Sequence, residues 1–99
     1  MSLVLEFLPE AGAETIAATE YYEGCVPGLG LRFRLQLESA CAAIAQHPLL
    51  WRERRGGYRR VNLPGFSYYV AYFLRGERIL IAPIGHASRH PDYWKKRGQ

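Results

Sequence analysis

The stretch from Ser67 to Leu74 decides the fold, and it reads Ser-Tyr-Tyr-Val-Ala-Tyr-Phe-Leu. It is rich in aromatic residues, and aromatic and β-branched residues are enriched in β-strands. Successive side chains of a strand point to opposite faces. One face then carries Tyr68, Val70, Tyr72 and Leu74, and the other carries Tyr69, Ala71 and Phe73. Both sets are apolar or aromatic, so we predict a central strand that is covered on both faces.

Two further strands flank this one in the sequence. Upstream, residues 58–63 alternate imperfectly, and the Pro64-Gly65 turn separates them from the central strand. Downstream, a tight hairpin at residues 75–78 leads into an apolar strand over residues 79–84. Pro83 lacks the N–H that a sheet ladder needs, so we expect an edge position or a bulge there.

The first half of the chain has a helical pattern. Residues 3–8 form a short apolar strand, and residues 9–24 form a helix with proline at its first position. A Pro-Gly turn leads to a second helix over about residues 31–46, which ends before Pro48. The order strand, helix, helix, three strands predicts an α+β fold, an antiparallel sheet with a helical hairpin packed on one face. We expect the other face to be partly open.

Charge divides the chain into two unlike halves. Residues 1–48 contain six acidic and two basic residues, whereas residues 49–99 contain three acidic and eleven basic residues. Eleven of the thirteen bases are arginine, which binds carboxylates and phosphates bidentately. The expected partner is therefore acidic: a nucleic acid, an acidic protein segment, or each in turn.

Composition excludes several other classes of protein. With 48% hydrophobic and 22% charged residues, the 99-residue chain is an ordinary globular sequence, which we assign to a single domain. We expect no signal peptide and no membrane span, because no apolar run is long enough. Cys25 and Cys41 have no metal-ligand spacing, so we predict reduced structural thiols of a cytoplasmic protein, with no metal and no cofactor.

A cluster of polar, cationic and aromatic residues follows the last strand, from Gly85 to Trp94. A buried strand that ends in such groups is a common way to build a site on a rigid scaffold. Metal-free RNA cleavage needs a base, a cation at the phosphate and an acid. The candidates are His86 as base or acid, Arg89 with either Arg59 or Arg60 as phosphate clamps, and Tyr93 as a further donor. The alternative is structural: a turn and then a tail that Tyr93 and Trp94 anchor.

Several short segments occur in a characteristic order along nearly the whole chain. They are Tyr21-Tyr22-Glu23, Pro27-Gly28-Leu29-Gly30 with Phe33, Glu38, His47-Pro48, Tyr58-Arg59-Arg60, Phe66-Ser67-Tyr68 and the run from His86 to Trp94. In this order and spacing they resemble the RelE/ParE superfamily of toxins, and in particular its ParE-like, plasmid stabilisation branch. The fold of that family agrees with the element order predicted above.

The resemblance implies the toxin half of a bacterial type II toxin–antitoxin pair. Its partner would be a small antitoxin whose acidic or amphipathic C-terminal segment wraps the toxin. The target divides the family. RelE-type members cut mRNA on the ribosome with arginines, a lysine or histidine and a tyrosine on the open sheet face, whereas ParE-type members are associated with inhibition of DNA gyrase and lack that set.

The nuclease set looks incomplete in this chain. Where RelE-like nucleases carry an arginine in the central strand, the chain has Tyr69, and a second arginine position falls on Ala87, close to Arg89. The resemblance therefore favours a gyrase inhibitor that is not an enzyme. The alternatives are a metal-independent, ribosome-dependent mRNA endoribonuclease that uses His86, Arg89 and Tyr93, and a non-toxic basic binding module. For antitoxin or target binding we predict Arg59, Arg60, Tyr69, Arg89 and Trp94.

Overall fold

The computed structural model describes residues 3–82 and 85–86. The elements in chain order are β1 (Val4–Phe7), α1 (Pro9–Cys25), α2 (Leu29–Gln46), β2 (Arg59–Asn62), β3 (Tyr68–Arg75), β4 (Arg78–Ile81) and β5 (Gly85–His86). This order confirms the α+β prediction of one strand, a helical hairpin and a strand meander. The second helix begins two residues earlier than expected, at Leu29.

The sheet has the strand order β1-β4-β3-β2, with β5 also paired to β3. β3 is central, as predicted, and its pairings with β2, β4 and β5 are antiparallel. β1 pairs with β4 in parallel, so the sheet is mixed rather than purely antiparallel. Parallel neighbours need a long crossover connection, and the helical hairpin with β2 and β3 supplies it here.

An ion pair joins the two parallel strands. The Arg78 guanidinium donates two hydrogen bonds to the Glu6 carboxylate, at 2.9 and 2.8 Å. These bonds hold the pKa of Glu6 below its ordinary value. Both side chains are exposed, so the pair contributes more to register than to stability.

The pairing register of β3 changes between β4 and β5. Tyr72 lies opposite Ile81, whereas Tyr69 lies opposite Gly85, so the later strand has one residue more than its partner over this interval. Such an offset is the defining feature of a β-bulge, one of the two alternatives expected near Pro83. Pro83 itself lies outside the described residues.

The turn between the helices is held by one carboxylate. Glu23 accepts hydrogen bonds from the backbone N–H groups of Gly28, at 3.0 Å, and Gly30, at 3.0 Å. These are N–H groups that the start of α2 would otherwise leave without partners. Gly28 has φ +88°, which favours glycine, and Gly30 lies against Thr19 of α1. The Pro-Gly-Leu-Gly segment is therefore a helix–helix connector.

An aromatic cluster ties the helical hairpin to the sheet. Phe33 of α2 is fully buried, and its ring lies 5.2 to 5.6 Å from the rings of Tyr22, Phe66 and Tyr68. The same core contains Val70, Tyr72, Ile79 and Ile81 from the sheet. The helices therefore cover one sheet face, as predicted.

The opposite sheet face is buried along β3 but exposed on β1 and β4, where Val4, Glu6 and Arg78 are exposed, which agrees with the expectation of a partly open face. Tyr58, Tyr69, Ala71, Phe73 and Ala82 form a second buried cluster there. The side chains of Leu8 and Leu80 pack against it, and two arginine side chains stack on its rings. Guanidinium groups stack favourably on aromatic rings, and these two arginines lie against that part of the sheet.

We expect the protein to lose stability in alkaline solution. Burial raises the pKa of the Cys41 thiol from 9.0 to about 11 and raises the pKa values of the Tyr22 and Tyr72 hydroxyls. The folded state thus favours the protonated groups, and their contribution is complete below the unfolded pKa values and is lost as the pH rises from about 9 to 11. Cys41 alone accounts for about 2 kcal/mol.

Urea unfolding at pH 7 and at pH 10.5 measures this loss. Cys41→Ala should lose less free energy of unfolding between the two pH values than the parent protein does. An identical pH dependence in both proteins would contradict the role assigned to Cys41.

Candidate binding surface

Arg60 is a half-buried cation on the second sheet face, and an aromatic ring holds it in position. It lies on β2 opposite Ala71, and its guanidinium carbon lies 4.6 Å from the centroid of the Tyr69 ring. The Arg60 Nε atom is buried and has no hydrogen-bond partner in the described part of the chain. Guanidinium groups bind carboxylates and phosphates, and the ring fixes this one in place, but its buried Nε is not itself open to a ligand.

A second arginine, on the neighbouring strand, also stacks on an aromatic ring. The Arg75 guanidinium carbon lies 4.9 Å from the centroid of the Phe73 ring, and its Nη1 donates to the Leu74 carbonyl at 3.1 Å. Arg60 and Arg75 therefore give the face of β2 and β3 two cations supported by aromatic rings. We call this face, with Arg60, Tyr69, Phe73 and Arg75, the arginine face.

Arg59 points to the helical side and has a structural contact. Its Nε donates to the Trp51 carbonyl at 2.9 Å, and its Nη2 lies 3.7 Å from the Glu53 carboxylate. The side chain is 16% exposed. Arg59 therefore attaches the connector between α2 and β2 to the sheet, and its guanidinium is already engaged by Trp51 and Glu53.

Tyr69 is buried, with 1% of its surface exposed. The Arg60 guanidinium stacks on the ring of Tyr69. Any contribution of Tyr69 to binding is therefore made through the position of Arg60.

The remaining predicted site residues are less completely described. His86 lies on β5 with its backbone opposite Tyr68, next to the pair of Gly85 with Tyr69. Arg89, Tyr93 and Trp94 lie outside the described residues. The predicted grouping of His86, Arg89 and Tyr93 therefore stays a prediction.

The connector between α2 and β2 is both basic and apolar at its surface. Leu49 and Leu50 are among the most exposed large apolar residues, at 71% and 68%. Arg52, Arg54 and Arg55 follow within the next five residues. This combination suits contact with a protein partner that has apolar and acidic groups.

A groove between α2 and β2 was missed by the sequence analysis. It has a volume of about 500 Å³, and its lining includes Leu35, Ser39 and Ala43 of α2 and Val61 and Leu63 at β2. Leu31 and Leu35 are more than half exposed, although they belong to an apolar-rich helix. Residues four apart lie on the same side of a helix, and these two leucines lie outside the core stripe of Phe33, Leu37, Cys41 and Ile44. Their spacing is therefore the signal in the sequence that indicates an apolar row on the surface.

Other kinds of site have less support among the described residues. No group of three or more histidine, cysteine, aspartate or glutamate residues there is arranged to hold a metal ion. Cys25 is exposed and Cys41 is half-buried, and both are free thiols. Neither of the two helices has the length and apolarity that crossing a bilayer requires, within the residues described.

Comparisons with known proteins agree with this architecture. Residues 5–91 match the family model described as the ParE toxin of the type II toxin–antitoxin system parDE. A solved structure, titled the chromosomal ParDE TA system from P. aeruginosa, is similar with a TM-score of 0.77 and 18% sequence identity. The alignment covers 88% of this chain and 98% of that chain. No curated protein matches. Because the family model covers most of the sequence, the chain belongs to the ParE toxins of type II toxin–antitoxin systems.

Proposed function

We propose that this toxin acts in the bacterial cytoplasm by binding and inhibiting DNA gyrase, and that a cognate antitoxin neutralises it. The observation that carries the proposal is the ParE match over residues 5–91. The P. aeruginosa protein of similar fold comes from a ParDE toxin–antitoxin system by its title. A role in plasmid stabilisation belongs to the same proposal.

The position of Tyr69 supports gyrase inhibition over RNA cleavage. In RelE-like nucleases this position carries an arginine, which supplies a cation to the scissile phosphate. Here the side chain is a buried tyrosine, so it offers neither a charge nor an exposed hydroxyl to a substrate. A ring that supports a neighbouring arginine is better suited to holding a binding surface than to proton transfer.

The nuclease remains the second candidate because of Arg60. This half-buried arginine stacks on Tyr69 in the arginine face and supplies a cation there. A ribosome-dependent mRNA endoribonuclease would combine it with His86, Arg89 and Tyr93. Such an enzyme would need a base and an acid in addition to the cation.

Induced expression without antitoxin separates the two candidates. Plasmid supercoiling and transcript integrity are followed together over the first minutes, and purified toxin is added to a gyrase supercoiling assay. We expect lost supercoiling with intact transcripts, and inhibition in the purified assay. Rapid transcript cleavage with normal supercoiling would favour the nuclease. Normal growth with neither effect would indicate that the protein is a non-toxic basic binding module.

Arg89 provides a direct test of the basic C-terminal half. We expect Arg89→Ala to weaken toxicity or antitoxin binding about tenfold or more, because a charged contact to an acidic partner is lost. Growth after induction and affinity for the antitoxin measure the two effects. Arg32→Ala, an exposed arginine on α2, is the matched control. An Arg89→Ala protein that keeps full toxicity and full affinity would remove Arg89 from the proposed site.

A further inference from the structure

The connector between α2 and β2, residues 47–58, is attached to the rest of the protein at two points. The Tyr72 hydroxyl donates a hydrogen bond to the Pro48 carbonyl at 2.7 Å. The Arg59 Nε donates to the Trp51 carbonyl at 2.9 Å, and the Trp51 side chain packs against the core. The two residues between these points are therefore held in a fixed position on the surface.

Those two residues are leucines that project into solvent. Leu49 is 71% exposed and Leu50 is 68% exposed, more than any other large apolar side chain in the described part of the chain. A single exposed leucine is common on a protein surface. Two neighbouring ones on an attached segment are different, because a partner that covers them does not have to order a flexible loop first.

The rest of the connector is basic. Its arginines are Arg52, Arg54 and Arg55. Glu53 is the only acidic residue in the sequence from 47 to 60, and its carboxylate lies 3.7 Å from the Arg59 Nη2. Arg52 is exposed. The connector therefore has net positive charge beside its two leucines, and the surface complementary to it is acidic.

The backbone that carries these arginines is also fixed. The Arg54 N–H donates to the Tyr58 carbonyl at 2.7 Å, and the Gly57 N–H donates to the Arg54 carbonyl at 3.0 Å. Gly56 and Gly57 have φ values of +100° and +83°, which close a tight turn between Arg54 and Tyr58. The cationic part of the connector is therefore positioned in advance, like its apolar part.

The leucines argue for a folded protein as the partner rather than a nucleic acid. Phosphate oxygens are bound by cations and polar groups, which leucine cannot supply. Burial of two leucines requires an apolar surface, such as the core of a protein interface. Side chains that project from a surface fit a concave site on a folded partner, whereas an extended peptide is bound in grooves and at strand edges.

We propose that the connector is the surface with which this toxin contacts its target protein. The target's side of the interface is an apolar pocket bordered by acidic side chains. Leu49 and Leu50 enter the pocket, and Arg52 pairs with a carboxylate at its border. This inference rests on the proposed inhibition of gyrase and names the surface and the complementary chemistry that would achieve it.

The apolar contribution is tested with the full-length toxin and purified gyrase in the absence of DNA. A variant with Leu49→Ser and Leu50→Ser should bind gyrase at least about tenfold more weakly and inhibit supercoiling correspondingly less. Its affinity for the antitoxin should stay within about threefold of the parent's. The matched control combines Val26→Ser with Leu31→Ser, and it should bind gyrase within about twofold of the parent. All four side chains are more than half exposed, so neither variant removes core packing.

The charge contribution is tested with a second pair of variants. Arg52→Glu should weaken gyrase binding about tenfold, because it places an acid against an acidic border. Arg32→Glu makes the same change of charge on the exposed side of α2 and should leave binding within about twofold. Binding by the parent toxin should also weaken as the salt concentration rises, because salt screens exposed charges.

Several outcomes would overturn the inference. Equal gyrase binding by the parent and the Leu49→Ser, Leu50→Ser variant would remove the connector from the target interface, and the proposed function would stand if the parent inhibits gyrase. Loss of antitoxin affinity with unchanged gyrase binding would assign the connector to the antitoxin instead. Weakening by Arg52→Glu alone, and only when DNA is present, would assign it to nucleic acid. A parent toxin that does not bind gyrase would overturn the proposed function and this inference together.

Discussion

Phe33→Ala is expected to lower the free energy of unfolding by about 3–5 kcal/mol. Phe33 has no exposed surface, and its ring contacts those of Tyr22, Phe66 and Tyr68. The substitution removes both the apolar burial and the edge-to-face contacts that attach α2 to β3. A domain of this size is stable by only about 5–15 kcal/mol, so the substitution should remove a large share of the stability.

Urea unfolding followed by tryptophan fluorescence and far-ultraviolet circular dichroism measures this loss. Tyr21→Ala is the matched control, because that ring is 64% exposed and contacts Tyr22 from the outside. We expect the control to change the free energy of unfolding by less than about 1 kcal/mol. A similar loss in both variants would mean that the aromatic cluster does not hold the two layers together.

Gly30→Ala is expected to destabilise the protein by about 2–4 kcal/mol. A Cβ at this position would lie 2.8 Å from the Thr19 carbonyl oxygen and 3.0 Å from a carboxylate oxygen of Glu23. The first atom is backbone, and the second, Oε1, accepts hydrogen bonds from the N–H groups of Gly28 and Gly30. Neither can move aside without separating the helices or breaking the bonds that hold the turn.

Gly12→Ala provides a control with the opposite sign. Gly12 lies within α1, and a Cβ there would meet no atom within 4 Å. Alanine should therefore stabilise the helix by about 0.5–1 kcal/mol. Thermal unfolding of the two variants side by side gives both values. If Gly30→Ala were as stable as the parent, the close approach of the helices would not depend on glycine.

Periodicity was sufficient to predict the layers of this protein. The alternation from Tyr68 to Leu74 identified the central strand, and the stripe of Phe33, Leu37, Cys41 and Ile44 identified the buried side of the second helix. Both patterns are local, and a residue's own neighbours in sequence determine them. The predicted element order is therefore the observed one.

The unpredicted features all depend on residues distant in sequence. Nothing near Val4 shows that β1 lies beside β4 and parallel to it. A tyrosine at position 69 indicates a strand but not that Arg60 will stack on it. The charge of Arg59 suggested a binding residue, whereas the tertiary contact with the Trp51 carbonyl gives it a structural role. Leu35 lines a groove with Val61 and Leu63, and the pattern of a single helix does not reveal which strand will lie beside it.

The parallel pairing of β1 with β4 also determines how late in synthesis the sheet can be completed. Glu6 and Arg78 are 72 residues apart, so the first strand to leave the ribosome is joined to its neighbour only after both helices and two other strands have been made. Contacts between such distant segments form slowly. Throughout that interval the nascent chain carries an unpaired apolar strand, which chaperones recognise and which can pair wrongly with other chains. The toxin's sheet is therefore completed late, when most of the polypeptide has already been translated.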